Sequence, residues 1–424
     1  MPHTHPYRVD GEVGRFTFTT HGLQQGTTLR HQTSRFWFPA LQGKEWYRTR
    51  GFKELALVHG VVEGSYRKTT ELINRVRHQS EEEGTPVRTL CDTTEGEGQQ
   101  MLAQMERHAD GILQKHHFTP EGRPEEAVDW GHASETLPVE GIEAAVQACE
   151  VAEEWKEEMA DNPVAYEDPS SQVYTAIDGV GVKKQKEVRC PDPPPKRRRK
   201  HPKEYVYTTL AQVDHDDESY VLVGTHTVGV LRLLLAFLLD NGLWQQGLTF
   251  LTDGQKTLQG PILRAFSWWG KVQLILDWYH LDKKCKEQLS LAMTGREVRN
   301  AALEQLRPLL WHGLTDRAIQ FLQQIDPETI KREEAREGLI ASLERNKPYI
   351  PCYAVRQALG LRNSSNRGEK ANDLVVAQRQ KHNGMSWSAE GSVALAAVTA
   401  LVRNQGQDTW FDQKTVPMEF PRAA

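Results

Sequence analysis

The sequence is poor in cysteine, and the few cysteines are scattered. Five occur in 424 residues, and none belongs to a Cys-x-x-Cys pair. A disulfide scaffold needs a dense set of cysteines, and a thiolate zinc site needs closely spaced pairs. The sequence therefore argues against both classes and indicates a reducing cytosol.

Long apolar runs are also missing. The longest candidate, residues 228–239, falls short of the roughly 20 residues that cross a bilayer and contains Arg232. Residues 1–6 lack the charged-then-apolar order of a signal peptide. We therefore expect a cytoplasmic protein without a membrane partner. At 38% hydrophobic and 26% charged residues, the chain should form a packed core.

No strong charge of one sign is present, since the formal net charge is −5. This neither indicates nor excludes nucleic acid, because the distribution of charge matters more than its sum. Acidic residues cluster in 81–83, 150–158 and 214–218, whereas 183–203 is strongly basic. That basic stretch has two interpretations, a solvated loop or a contact with the phosphate backbone. Its central run is Lys196, Arg197, Arg198, Arg199 and Lys200.

A glycine-rich phosphate loop is absent as well. The nearest pattern, Gly179-Val180-Gly181, is not followed by a helical stretch. What residues 171–280 do contain is an α/β pattern in the order strand, strand, strand, helix, strand, helix, strand. That order matches an RNase H-like core, in which three antiparallel strands precede the α/β alternation.

Three of these predicted strands end on an acidic residue: Asp178, Asp253 and Asp277. A single Asp-Gly after a strand is usually only a turn. Ligand sites in open α/β sheets lie outside the carboxyl ends of the strands, so we expect Asp178 and Asp253 to lie close together. Glu369, which we expect to open a helix, is the third candidate. Its rival Glu390 resembles part of a turn.

Three carboxylates at one place can hold two divalent cations about 4 Å apart, the arrangement used for phosphoryl displacement. Hard oxygen ligands favour Mg²⁺ or Mn²⁺. The sequence therefore predicts a two-metal site at Asp178, Asp253 and Glu369.

The N-terminal half carries weaker signals. Residues 1–50 receive no function, although 14–19 alternate like a strand. Residues 51–120 read as helices, with Ser65 and Thr85 as caps. The pattern resembles a helix-turn-helix that would place Arg88 against DNA, and a generic helical packing domain is an equal alternative.

The remaining segments complete the predicted organisation. Residues 121–170 form an acidic connector that is helical over 142–159, and 281–350 form an inserted all-helical domain. Residues 351–405 return to the core, and 406–424 form a loose tail.

With these features the chain resembles a DDE transposase of bacterial insertion sequences, of the ISKra type and related to the mutator group. The resemblance covers residues 171–403. Its motifs are Ile177-Asp178-Gly179, Leu251-Thr252-Asp253-Gly254, Leu276-Asp277-Trp278-Tyr279-His280, and Glu369 followed by Arg379-x-Lys381 and Gly384-Met385-x-Trp387. The chain departs from the family before Glu369, where Ser365-Asn366-Arg367-Gly368 replaces an expected Gly-Ser-Gly-Val-Val run.

The resemblance implies metal-dependent DNA strand cleavage and transfer at element ends, with Asp178, Asp253 and Glu369 as ligands. It also implies an auxiliary role for Asp277 and His280, and we assign the basic residues Arg379 and Lys381 to DNA contact. The implied partners are double-stranded element-end and target DNA and further copies of the chain, in the prokaryotic nucleoid. Two alternatives stay open: a nuclease of the same fold without strand transfer, and an inactive copy that acts as a DNA-binding repressor.

Overall fold

The computed structural model describes most of the chain. It covers residues 3–11, 14–22, 46–80, 82, 84–127, 137–186, 204–382 and 384–421. The basic run at 196–200 lies outside these residues, so its predicted DNA contact stays a prediction.

The N-terminal segment forms a small sheet. Its strands are β1 (His3–Gly11), β2 (Gly14–Gly22) and β3 (Trp46–Arg48). Strand β1 pairs antiparallel with β2 and parallel with β3. The alternation at residues 14–19 therefore indicated a strand correctly.

Three helices follow: α1 (Arg50–Val62), α2 (Tyr66–Val76) and α3 (Val87–Lys115). The Ser65 hydroxyl accepts a hydrogen bond from the Lys68 backbone N–H, as predicted for a cap. Helix α3 runs for 29 residues and buries Leu90, Met101 and Met105.

The predicted helix over residues 142–159 is instead two short helices, α4 (Val139–Gln147) and α5 (Glu153–Ala160). Between them Cys149 and Val151 pack against a buried cluster that also contains Met159. The burial of these apolar side chains interrupts the helix between Gln147 and Glu153, where the sequence predicted one continuous helix.

The central sheet has five strands, all close to where the sequence predicted them. They are β4 (Gln172–Lys183), β5 (Tyr205–His215), β6 (Glu218–Gly224), β7 (Gly247–Thr252) and β8 (Val272–Leu276). Their spatial order is β6-β5-β4-β7-β8. Strands β5 and β6 are antiparallel, whereas β7 runs parallel to both β4 and β8. The carboxyl ends of β7 and β8 therefore lie at one edge, and β4 reaches the same edge near Asp178.

Two helices connect these strands, α6 (Thr227–Asp240) and α7 (Lys256–Ala265). Helix α6 buries most of its side chains, in keeping with its apolar sequence. Helix α7 stops before the predicted end at Trp269, because Phe266 and Trp269 turn inward and pack against each other.

The segment after β8 is helical, as predicted. It contains α8 (Trp278–Ala292), α9 (Arg296–Trp311), α10 (Thr315–Gln323), α11 (Glu333–Asn346) and α12 (Tyr353–Ala358). Most of its leucines share one apolar cluster with Leu251, Ile275 and Leu276 of the sheet. The helices are therefore packed as an extension of the sheet's core.

The last part of the chain differs most from the sequence prediction. Helix α13 (Asn366–Asn372) begins three residues before Glu369, and the next nine residues, Asp373–Lys381, form a π-helix. Helices α14 (Ala389–Arg403) and α15 (Gln407–Gln413) follow. The tail predicted to be loose is thus partly helical, and it buries Trp410, Phe411 and Val416.

Contacts divide the chain into two compact units, each built from several segments. The first contains residues 1–106, 180–208 and 373–417, and the second contains 107–179, 209–372 and 418–424. These boundaries differ from the sequential domains expected from the sequence. No helix in the described part of the chain is long and apolar enough to cross a membrane.

Candidate active site

Asp178 lies within β4 and not at its end, because the strand continues to Lys183. One carboxylate oxygen accepts a hydrogen bond from the Gly179 backbone N–H at 2.7 Å. The other accepts one from the Asn372 side-chain amide at 2.9 Å. Asp178 is therefore held from two sides.

Asp253 directly follows β7, at the predicted position. Its carboxylate accepts a hydrogen bond from the Gln255 backbone N–H at 2.9 Å. Gly254 between them has a φ of +81°, which favours glycine, and a Cβ there would approach Leu276 to 2.9 Å. This tight turn fixes the direction in which Asp253 leaves the strand.

Glu369 lies in the first turn of α13, although it was expected to open the helix. The preceding Gly368 rests on β4, since a Cβ at this position would be 2.5 Å from the Ala176 Cβ. Only glycine lets the helix approach the strand this closely. The contact brings Glu369 to a pocket that Asp178 and Asp253 also line.

Asp277 and His280 lie beside this pocket. The buried Asp277 caps α8 by accepting the His280 backbone N–H at 2.9 Å, and it also accepts the Ser365 backbone N–H. The His280 ring bridges two acids, with Nδ1 3.2 Å from Asp277 and Nε2 3.4 Å from Glu369. One imidazole thereby links the end of β8 to α13.

The charges of these groups are strongly coupled. Burial raises the pKa of Asp178 to about 6, and the neighbouring Glu369 and Asp253 carboxylates add to the rise. Contacts with Asp277 and Glu369 raise the pKa of His280 to about 10, so the ring is cationic at neutral pH. The hydrogen bond from His280 lowers the pKa of Glu369. For Asp277, burial acts to raise the pKa, but hydrogen bonds from His280 and Ser365 outweigh it and lower the pKa.

The donor set suits a hard divalent cation in its chemistry. Asp178, Asp253 and Glu369 supply carboxylate oxygens. These carboxylates repel one another, and a bound cation would relieve that repulsion. The pocket has a volume of about 30 Å³, room for about two water-sized bodies at roughly 10–15 Å³ each. In the arrangement that the described residues adopt, no group of three or more His, Cys, Asp or Glu side chains is positioned to hold a metal ion.

Sequence reasoning missed three contributors to this site: Asn372, Gly368 and Ser365. Asn372 follows Glu369 by three residues, so both lie on one face of α13, and that spacing could have indicated it. The contacts of Gly368 with β4 and of Ser365 with Asp277 cross large sequence separations. No local pattern could have shown them.

Glu390, the rival third acid, lies in the first turn of α14 and not in the expected turn. Its side chain is exposed and does not line the pocket, and its backbone carbonyl accepts a hydrogen bond from Gln99. Of the two glutamates, Glu369 is therefore the one beside Asp178 and Asp253.

The residues predicted to contact DNA differ in their exposure to solvent. Arg88 is 84% exposed and pairs with Asp92 at 2.8 Å, and Lys381 is exposed. Arg379 is only 3% exposed, and its guanidinium donates to the Gly60 and Gly64 carbonyls. Because its own fold encloses the side chain, the structure does not present Arg379 for the DNA contact that the sequence predicted.

Comparison of the chain with protein-family models, with curated proteins and with solved structures found no match. The geometry and chemistry of this pocket are therefore what indicates a function.

Proposed function

We propose that this protein is a DDE-type transposase with an RNase H-like catalytic core, which cleaves and transfers DNA strands at the ends of an insertion sequence. The observation that carries the proposal is the meeting of Asp178, Asp253 and Glu369 at one pocket. These residues are far apart in the sequence, and the sequence alone indicates each of them as a candidate ligand.

The sheet gives independent support. Its first three strands, β4 to β6, are neighbours, and β7 and β8 extend the opposite side of β4 in parallel. This agrees with the strand order expected of an RNase H-like core. The acids lie at the edge where ligand sites occur in α/β sheets.

Asp178, Asp253 and Glu369 would hold two Mg²⁺ or Mn²⁺ ions. Bound there, the ions would supply stabilisation of the attacking and leaving oxygens of an in-line displacement at phosphorus. The protein's part is to present the three carboxylates in fixed positions, and the neighbouring side chains serve that purpose.

Asn372 orients Asp178 by donating to one of its oxygens. His280 restrains Glu369 and keeps it ionised, and Asp277 in turn holds His280. A relay of this kind fixes the ligands before substrate binds, which lowers the cost of reaching the reactive geometry.

A nuclease of the same fold would use the same pocket, and so the joining step separates the two functions. An inactive repressor is disfavoured because Asn372, His280 and Asp277 still hold the acids in an ordered arrangement.

The test uses the purified full chain, Mg²⁺, DNA carrying the sequences that flank its gene, and a target plasmid. We expect cleaved ends and joined products on sequencing gels, both lost in Glu369→Gln. Glu390→Gln is the matched control and should behave as the unaltered protein. Cleavage without joining would support the nuclease, and full activity of Glu369→Gln would overturn the assignment of the site.

A further inference from the structure

A second pocket lies beside the carboxylates, and the proposed chemistry does not use it. Its volume is about 180 Å³. It shares Ala176, Leu251, Ser365 and Gly368 with the carboxylate pocket. The rest of its lining comes largely from the polar run 362–367, which includes the residues that replace the sequence expected before Glu369.

Several donors line this pocket. The Ser364 hydroxyl is buried and has no hydrogen-bond partner among the described residues. The Asn366 side chain is exposed and lines the same cavity. The half-exposed Arg367 has only a 3.7 Å contact with Asp214. A hydroxyl, an amide and a guanidinium thus line one cavity. Of these, the Ser364 hydroxyl is a buried polar group without a partner among the described residues, which is costly.

The charge of the pocket favours an anion. Arg362 already neutralises the buried Asp214 through a 2.8 Å hydrogen bond, and its guanidinium stacks on the Tyr174 ring. Gln212 donates to the second Asp214 oxygen at 2.9 Å. Arg367 is therefore a surplus cation, and its planar fork suits the oxygens of a phosphate.

The spacing relates this pocket to the carboxylates. Along β4, the second pocket is lined by residues 174–176 and the carboxylate pocket by 176–178. A two-residue offset along a strand is about 7 Å, which is comparable to the separation of consecutive phosphates in a DNA strand. Resting on the proposed function, we propose that this pocket binds the phosphodiester next to the scissile one, with Arg367, Ser364 and Asn366 as its donors.

The test replaces single phosphates of an element-end DNA by neutral methylphosphonates, one position at a time. With the unaltered protein, one substitution adjacent to the scissile phosphate should lower kcat/KM for cleavage about tenfold, the loss expected for one charge-assisted contact. Arg367→Ala should lose as much on the natural strand, mainly through KM, and should lose nothing more on the substituted one. Lys370→Ala makes the same change of charge on the same helix but lies outside both pockets, so it should keep the full methylphosphonate effect.

Binding measured by fluorescence anisotropy without metal separates this inference from the proposed function. If the protein does not cleave DNA at all, the proposed chemistry falls. The pocket is then still judged by whether the methylphosphonate penalty on affinity disappears in Arg367→Ala. A penalty that persists in Arg367→Ala overturns the pocket assignment. Calorimetric binding of inorganic phosphate that is lost in Arg367→Ala, together with a DNA affinity that no methylphosphonate position lowers, would instead assign the pocket to a free phosphate compound and overturn its role in strand binding.

Discussion

At the scale of single residues, Asp178 shows a conflict between stability and function. Its carboxylate is partly buried beside Glu369 and Asp253, and its pKa is raised to about 6. Because the folded state raises this pKa, the charged form destabilises the fold, and the penalty is complete above pH 6. A charged carboxylate that destabilises the fold is better explained by a role in catalysis than by a role in folding.

We therefore expect Asp178→Asn to raise the melting temperature at pH 7 while lowering cleavage about 10³-fold. The activity estimate follows from losing several kcal/mol of transition-state stabilisation at about 1.36 kcal/mol per factor of ten. Thermal unfolding and a strand-cleavage assay on the same preparation measure both effects. A lower melting temperature would show that the hydrogen bond from Asn372 outweighs the repulsion between the carboxylates.

Gly368 offers a second prediction at this scale. Gly368→Ala would place a Cβ 2.5 Å from that of Ala176, and we expect it to cost about 1–3 kcal/mol, the usual range for overpacking. Cleavage should fall as well, since Glu369 would be displaced. Adding Ala176→Gly removes the opposing Cβ, so the double variant should regain activity and part of the stability measured by urea unfolding. Failure of this rescue would mean that Gly368 is needed for another reason.

At the scale of elements, Arg379 shows what a sequence pattern cannot reveal. A basic residue in a helix after the third acid indicated DNA contact, but the π-helix directs Arg379 between the Tyr66 and Trp387 rings. Burial acts to lower its pKa, and the Gly60 and Gly64 carbonyls serve as its acceptors. Apart from Trp387, the partners that bury Arg379 are hundreds of residues away in the sequence.

We expect Arg379→Gln to destabilise the protein by about 1–3 kcal/mol, since two carbonyls lose their donor. The DNA affinity of the folded fraction should remain unchanged. The comparison is Lys381→Gln, which alters an exposed residue of the same π-helix and should leave stability within about 0.5 kcal/mol. Denaturant unfolding and gel-shift titration distinguish the two. A specific loss of affinity in a fully folded Arg379→Gln would restore its role in DNA contact.

The elements that could be predicted are those with local signals. Short apolar runs bounded by turns indicated β4 to β8, and residues 281–350, where most of α8 and all of α9 to α11 lie, were predicted to be helical. The π-helix, the break between α4 and α5, and α15 were missed because each is stabilised by contacts distant in sequence. The candidate site followed the same rule. Asp178 and Asp253 were visible at the ends of predicted strands and Glu369 at the start of a predicted helix, whereas Asn372 and Gly368 depended on how α13 meets β4.

At the scale of the whole molecule, Glu97 shows how distant segments are held together within one unit. It lies in α3 and is 3% exposed. Lys53 of α1 contacts one of its oxygens at 2.6 Å, while Lys414 and the Trp410 indole donate to the other at 2.8 and 2.9 Å. Residues from the first helix and the end of the chain thus meet at one buried carboxylate, which explains why the predicted loose tail is ordered.

This arrangement predicts a pH dependence of stability. Burial acts to raise the pKa of Glu97, but hydrogen bonds from Lys414 and Lys53 outweigh it, and the net shift is downward. Since the pKa in the folded state lies below that in the unfolded chain, the stabilisation is fully present above the unfolded-chain pKa and is lost as pH falls through the folded-state pKa.

Glu97→Gln should lower stability at pH 7 by about 1–3 kcal/mol, because the two lysines lose a charged acceptor. Glu71→Gln, a change at an exposed acid of α2, should leave stability and its pH dependence unaltered. Urea unfolding from about pH 3 to neutral pH, a range that spans the titration of a glutamate, measures the difference. The gap between the unaltered protein and Glu97→Gln should narrow towards low pH, and a constant gap would show that Glu97 acts through packing and not through its charge.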